Sequence, residues 1–251
     1  MPVKLTIAGA CGRMGSRIAT LALADSVFAL AGALEAKGHP SVGQPYGSLI
    51  GQPSVTDRVS DDASRAIGAG DVVIDFTLPE PSLEHLCVAA QHRKPMVIGT
   101  TGFSEAQRAQ IDEASRSIPI VLSPNMSVGV NLLFELVELA AARLGLGYDV
   151  EVVEAHHKAK KDAPSGTAKR LVEGIASARR QPAGTVPTHA LRAGDIVGDH
   201  TVVFAGPSER LELTHRAHSR DAFAQGALRA AKFLIGRKAG LYDMSHVLKA
   251  E

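Results

Sequence analysis

Residues 154–167 read Glu-Ala-His-His-Lys-Ala-Lys-Lys-Asp-Ala-Pro-Ser-Gly-Thr, with two adjacent histidines and three lysines inside positions 156–161. Asp162-Ala163-Pro164 breaks the chain, and Ser165-Gly166-Thr167 opens a predicted helix. A cation-rich loop running into a helix N-terminus is suited to hold an anion. Backbone N–H groups and the positive end of the helix dipole point where the lysines point. His156 is a candidate proton donor because an ordinary histidine titrates at ~6.5. Lys160 is another if neighbouring cations lower its pKa. Ser165 suits an N-cap and leaves the amides of Gly166 and Thr167 to meet a carboxylate beside His157. Three other assignments stay open on these residues alone: a solvated basic loop, a zinc site and a nucleic-acid patch. Adjacent histidines with only Asp162 nearby fit zinc poorly, so no metal is expected. One basic loop without interleaved aromatics is thin support for nucleic acid.

The first half of the chain supplies a second chemical element. Val3–Ala8 is an apolar run rich in β-branched residues, and Gly9-Ala10-Cys11-Gly12-Arg13-Met14-Gly15 follows it before a helical pattern. Strand, glycine loop and helix in that order are the context of a dinucleotide fingerprint. Gly9 allows the tight turn, Gly12 lets a pyrophosphate approach the backbone, and Gly15 lets helix and strand pack closely. Phe28–Leu34 is a second apolar run ending in Glu35, 20 residues beyond Gly15. An acid at that strand end is placed to hold an adenosine ribose. A lone carboxylate favours NADH over NADPH by repelling a 2′-phosphate, and Lys37 softens that repulsion.

The elements that position these loops follow an alternating rhythm. Residues 36–54 form a long Gly/Pro/Ser-rich surface loop, and Val55–Val59 reads as a short strand. Asp71–Phe76 reads as a buried strand and Met96–Ile98 as another, the latter ending in Gly99-Thr100-Thr101-Gly102. A helix is predicted over Ser104–Arg116, with Ser104 and Gln107 as a capping box. Ile118–Leu122 ends in Ser123-Pro124-Asn125-Met126. Such alternation predicts an α/β fold with a doubly wound, Rossmann-like parallel sheet, whose ligands sit beyond the carboxyl ends of the strands. The rhythm stops near residue 126. Val128–Leu144 then reads as a long helix and Tyr148–Ala155 as a half-buried strand that delivers His156 to its end. Thr188–Ala193 and Ile196–Ala205 read as strands around Gly194-Asp195, Arg210–His215 as another, and Asp221–Gly236 as a final helix before a short tail. This second unit is expected to be α+β with a mixed or antiparallel sheet.

Bulk composition excludes several classes. Apolar residues make up 45%, charged residues 21%, and the formal net charge is +1. Those values are ordinary for a globular domain and give no global preference for nucleic acid or an anionic membrane. No stretch approaches the ~20 apolar residues of a membrane span. Cys11 and Cys87 lack metal-type spacing, and no signal peptide is expected, so a reduced cytoplasmic location is.

With these motifs in place the chain resembles the 4-hydroxy-tetrahydrodipicolinate reductase (dihydrodipicolinate reductase) family. The segment 154–168 is similar to its signature. Gly-Ala-Cys-Gly-Arg-Met-Gly, Asp75-Phe76-Thr77, Gly99-Thr100-Thr101-Gly102 and 123–131 are similar to its further segments in order, as are 223–228 and 240–244. The resemblance implies reduction of a cyclic dicarboxylate by NADPH or NADH with loss of water, in the route to diaminopimelate and lysine. It places acid/base chemistry on His156 and Lys160, and substrate carboxylates at His157, Gly166 and Thr167. Cofactor contacts fall on Gly9, Ala10, Cys11, Gly12, Arg13, Met14, Glu35, Gly99, Thr100, Thr101, Ser123, Pro124, Asn125 and Met126. It further implies a homotetramer assembled through the second domain, and a C-terminal segment that returns to the first. The expected domains are therefore 1–126 with 220–251 for the dinucleotide, and 127–219 for substrate and assembly. Many members carry a basic residue directly after the ribose-binding acid, where this chain has Ala36. The alternatives are another NAD(P)-dependent reductase of a carboxylate substrate and a non-catalytic NAD(P) sensor. The His156/Lys160 pair argues against the sensor, which needs no proton donor.

Overall fold

The computed structural model of the chain describes residues 1–250. It folds as two compact units, Met1–Met126 with Phe223–Glu251, and Ser127–Ala222.

The first unit begins with β1 (Val3–Ala8), α1 (Arg13–Leu23), β2 (Phe28–Leu34), α2 (Tyr46–Leu49), β3 (Val59–Ser60) and α3 (Ala63–Ala69). It continues through β4 (Val72–Asp75), α4 (Pro79–Gln91), β5 (Met96–Ile98), α5 (Glu105–Ser115) and β6 (Pro119–Leu122). In the second unit lie α6 (Val128–Leu144), β7 (Asp149–His156), α7 (Gly166–Arg179), β8 (Thr188–Arg192), β9 (Asp199–Ala205) and β10 (Arg210–Arg216). The chain closes with α8 (Asp221–Leu234), β11 (Gly240–Tyr242) and α9 (Met244–Lys249).

Seven strands form one wholly parallel sheet in the order β11-β6-β5-β4-β1-β2-β3. The winding reverses between β1 and β4, which is the switch point where Rossmann-like sheets bind ligands. Both faces are covered, so the strands are continuous apolar runs: Val72, Val73, Ile74, Met96, Val97 and Ile98 are fully buried. Each such side chain contributes about 1.5–3 kcal/mol on leaving water. Ser104 caps α5 by accepting from the Gln107 amide while Gln107 returns a bond to the Ser104 amide, the reciprocal box expected from sequence.

Three local expectations are corrected. The strand expected at Val55–Val59 is reduced to Val59–Ser60: residues 55–57 are loop, the Asp57 carbonyl accepting at 2.7 Å from the amide of the fully buried Tyr46, and Arg58 makes only an isolated antiparallel bridge to Pro45. The surface loop 36–54 therefore contains a buried anchor. The expected short tail is instead a strand, Gly240, Leu241 and Tyr242 pairing with Pro119, Ile120 and Val121, followed by a helix capped by Asp243, and its return to the first unit is as the resemblance implied.

The second unit is a four-stranded mixed sheet, β10-β9-β7-β8. β9 is antiparallel to both β7 and β10, whereas β8 runs parallel to β7. The strands flanking Gly194-Asp195 thus do not pair with each other; β7 lies between them. Val150, Val152, Val202 and Phe204 face α6 and α7, where Val130, Phe134, Val137, Leu171 and Ile175 complete a core. Period two then places Glu154 and His156 on that same inward face, at the end of β7.

Candidate active site

In the first unit the glycine loop follows β1. Gly9 has φ +73°, and a Cβ there would lie 2.8 Å from the Phe76 carbonyl oxygen. A Cβ on Gly15 would lie 2.1 Å from Gly9 O, so only glycine lets α1 start this close to the turn. Gly12 is the N-cap of α1 and supplies no side-chain cap, and no acid lies in the first turn. The amides there face a site suited to an anion. Glu35 stands beside the loop and accepts from the Cys11 amide at 2.7 Å. Tyr46 supports the loop from below, its hydroxyl donating to Ala10 O at 2.8 Å. Burial pushes the Tyr46 phenol well above its ordinary pKa, so it remains a donor. An uncapped helix start behind Gly9 and Gly12, with Gly15 in its first turn and a carboxylate at the end of β2, fits the pyrophosphate and ribose of a dinucleotide.

The loops after β4 and β5 form one knot around Asp75, which is fully buried. Its Oδ1 accepts from the Thr77 amide at 3.0 Å, the Thr77 hydroxyl at 2.6 Å and the Thr100 hydroxyl at 3.0 Å. His85 Nδ1 approaches Oδ2 at 2.7 Å. The Thr100 hydroxyl therefore points inward, leaving its backbone as the group it can offer a ligand. A Cβ on Gly99 would lie 2.3 Å from the Phe76 ring, so the glycine is what allows this packing. Thr101 is exposed, whereas Ser123 and Met126 are buried, with the Ser123 hydroxyl donating to Asn125 O at 2.8 Å. The side chain of Met126 is accordingly closed to a cofactor.

In the second unit β7 delivers His156 as expected, but its surroundings are richer than the loop sequence suggests. His156 Nδ1 is hydrogen bonded to Glu154 Oε2, and Glu154 is fully buried. Arg192 on β8 grips both oxygens of that carboxylate, Nη2 to Oε1 at 2.8 Å and Nη1 to Oε2 at 3.0 Å. The Ser165 amide adds a bond to Oε1 at 3.2 Å. Burial acts to raise the Glu154 carboxyl, but Arg192 and His156 outweigh it and hold it below its ordinary value. Burial is also the largest influence on His156 and pushes it below its ordinary value, with Glu154 opposing. Lys160 is ion-paired to Asp162 at 2.9 Å, which in turn lowers the Asp162 carboxyl. Ser165 caps α7 through the Ala168 amide, and Gly166 and Thr167 form the first turn, as expected. The His200 ring packs edge-on to His156 at 5.2 Å, and burial pushes His200 down to about 3. His157 is partly exposed beside them.

Glu154, Arg192 and His200 were not singled out from sequence. Glu154 was findable, since it lies two residues before His156 on the inward parity of β7. Arg192 and His200 depend on strand register, His156 opposite Arg192 and Glu154 opposite His200, which no local pattern specifies.

Comparisons with known proteins bear on the whole chain. Residues 3–126 match the family model for dihydrodipicolinate reductase, N-terminus, and residues 129–248 match that for its C-terminus. The 4-hydroxy-tetrahydrodipicolinate reductase of Burkholderia thailandensis is 48% identical, over 98% of each chain. That of Anaeromyxobacter dehalogenans is 47% identical, over 98% of this chain and 97% of its own. Among solved structures, the dipicolinate-bound dihydrodipicolinate reductase of Paenisporosarcina sp. TG-14 shares the fold, with TM-score 0.79 at 24% identity over 97% of this chain and 98% of that one. Matched in both halves by the models of one family and nearly half identical to its members end to end, this chain belongs to the 4-hydroxy-tetrahydrodipicolinate reductases.

Proposed function

We propose that the chain reduces 4-hydroxy-tetrahydrodipicolinate to tetrahydrodipicolinate with NADH or NADPH and release of water, in the biosynthesis of diaminopimelate and lysine. The observation that carries this is the pairing of an anion-binding glycine loop and ribose-type acid in one unit with a buried, carboxylate-held histidine beside a basic loop in the other. The ring hydroxyl leaves as water together with a proton from an adjacent ring carbon, which makes the ring conjugated, and a bound nicotinamide would then supply a hydride to the carbon that lost the hydroxyl. Negative charge then grows on the conjugated atom, and His156 or Lys160 neutralises it with a proton. His157 and the first-turn amides of Gly166 and Thr167 hold the substrate carboxylates. Those carboxylates also add negative charge beside His156, which raises the pKa that burial depresses and favours the imidazolium in the complex. Gly9–Met14, Glu35, Gly99–Thr101 and Ser123–Met126 form the proposed cofactor side, chiefly through backbone.

The test mixes purified protein with NADH or NADPH and the condensation product of aspartate semialdehyde and pyruvate, and follows nicotinamide absorbance. Failure to oxidise either cofactor sinks the proposal. For cofactor choice, Lys37 is exposed two residues beyond Glu35. Lys37→Ala is expected to weaken NADPH binding about threefold more than NADH, the scale of a solvent-screened ion pair. Equal dissociation-constant changes for both cofactors, measured by fluorescence titration, would remove Lys37 from the 2′-phosphate site. We also infer a cytoplasmic homotetramer joined through the outer face of the second sheet, where Leu191 is 49% exposed on β8 and Val153 and Val203 lie half-buried on β7 and β9. Light scattering that gave a monomer mass would overturn that assembly.

A further inference from the structure

We propose that Glu154 and Arg192 form a positioning pair that holds His156 by its Nδ1 edge, making Nε2 its working atom, and that the same guanidinium tethers the loop carrying Lys160. This deepens the reductase reading above and rests on it.

Three geometric facts carry the inference. First, the Glu154 carboxylate is fully buried and spends all its acceptor capacity locally: His156 on one oxygen, the Ser165 amide on the other, and the Arg192 fork across both. A buried carboxylate is costly unless paired in this way, and a two-point guanidinium fork fixes its plane as well as its charge. Second, Arg192 Nη2 also donates to the Asp162 carbonyl at 2.6 Å, and Asp162 holds the Lys160 ammonium at 2.9 Å. One side chain on β8 thus joins the support of His156 to the backbone of the Lys160 loop. Third, Nε2 is left on the side of Gly198, where even an added Cβ would come within 3.1 Å of it. The missing side chain at Gly198 keeps room at that nitrogen.

The charges facing His156 make the role of Glu154 separable. Arg192 comes from β8, Lys160 with its partner Asp162 from the loop, and His200 from β9, with His215 paired to His200 on β10; Ser165, the N-cap of α7, gives its amide to Glu154. Glu154 is the group in direct contact that favours the imidazolium. A carboxylate accepting from Nδ1–H selects one tautomer, and a neutral amide in its place does not.

The test is histidine 15N NMR on the full chain, paired with steady-state kinetics. In the wild-type protein neutral His156 is expected to carry its proton on Nδ1; a proton on Nε2 overturns the proposal without any variant. In Glu154→Gln the His156 midpoint is expected to fall by about one pH unit or more, with kcat reduced about ten- to a hundredfold and cofactor affinity retained. Added to His156→Ala, Glu154→Gln is expected to cause no further loss of kcat, since it acts through the imidazole. An unchanged midpoint and tautomer in folded Glu154→Gln, or a full additional loss in the double variant, overturns it. Should Glu154→Gln not fold, Glu154→Asp keeps the charge but withdraws it by one methylene, and is expected to restore the midpoint and not the full kcat. An Asp variant with wild-type kcat also overturns the proposal. The NMR readout needs no turnover, so it separates this failure from a wild-type protein that oxidises no cofactor.

Discussion

His156→Ala is expected to lower kcat by about 10²- to 10⁴-fold, the range that a positioned general acid contributes, and Lys160→Ala to fall within the same range. Dissociation constants for NADH and NADPH are expected to move by less than about twofold, since the glycine loop, Glu35 and the Asp75 knot belong to the other unit. Stopped-flow turnover and cofactor titration read the two quantities separately. Loss of cofactor binding in either variant would mean that the site is misassigned. The pH dependence follows from the direction of the His156 shift. Burial holds its pKa below 6.5 in the free protein, so the protonated form is lost as pH rises through that depressed value. With protonated His156 as donor, kcat/KM, which reports the free enzyme, falls with rising pH from below 6.5. In the complex, substrate carboxylates raise the same pKa, so kcat holds to higher pH than kcat/KM. Coincident profiles for the two parameters would remove that substrate-driven proton loading.

The residues that could be read from sequence are those whose role is written in local chain chemistry. Gly9, Gly12 and Gly15 needed only the strand before them and the helix after them, and Ser104 with Gln107 needed three residues of spacing. His156 and Lys160 were legible because the break at Asp162-Ala163-Pro164 and the cap at Ser165 mark a loop entering a helix. The supports of these groups were not legible, for a common physical reason: each is fixed by pairing across sequence distance. Arg192 meets Glu154 because β8 pairs parallel with β7, an order that the Gly194-Asp195 turn argues against locally. Tyr46 lies in a Gly/Pro-rich stretch that reads as solvent-exposed, yet its ring is buried beneath Ala10, which is 36 residues earlier. β11 has three residues and no internal periodicity to announce it, and it becomes a strand because β6 offers an unpaired edge. Asp75 reads from sequence as part of the buried strand Asp71–Phe76; its function as acceptor for Thr77, Thr100 and His85 depends on how the next two loops converge.

The cost of these buried histidines is expected to appear as acid sensitivity of the second unit. His200 is 3% exposed, its ring packed against His156 and its Nε2 within 3.3 Å of the Ser165 hydroxyl. Burial pushes its pKa from 6.5 to about 3 in the folded protein. The sign follows from which state takes the proton. Above pH ~6.5 neither the folded nor the unfolded chain protonates His200, and it exacts no penalty. As pH falls below that value the unfolded chain gains a proton that the folded chain refuses until about pH 3, so stability declines across that window. At ~1.4 kcal/mol per pH unit the loss attributable to His200 is about 2 kcal/mol at pH 5, roughly a thirtyfold shift in the folding equilibrium. His156 and His215, both lowered chiefly by burial, add to the wild-type decline. Because the chain has two compact units, a single global transition does not isolate the effect. Amide hydrogen exchange at Val202 and Phe204, fully buried on β9, reads the second unit directly. Between pH 7.5 and pH 5 the wild-type opening free energy at these amides is expected to drop by about 2 kcal/mol more than in His200→Gln, which cannot titrate and retains a side-chain partner for Ser165. Equal drops in the two proteins would show that His200 accepts its proton without unfolding, and that the packing around His156 yields to charge more readily than its burial implies.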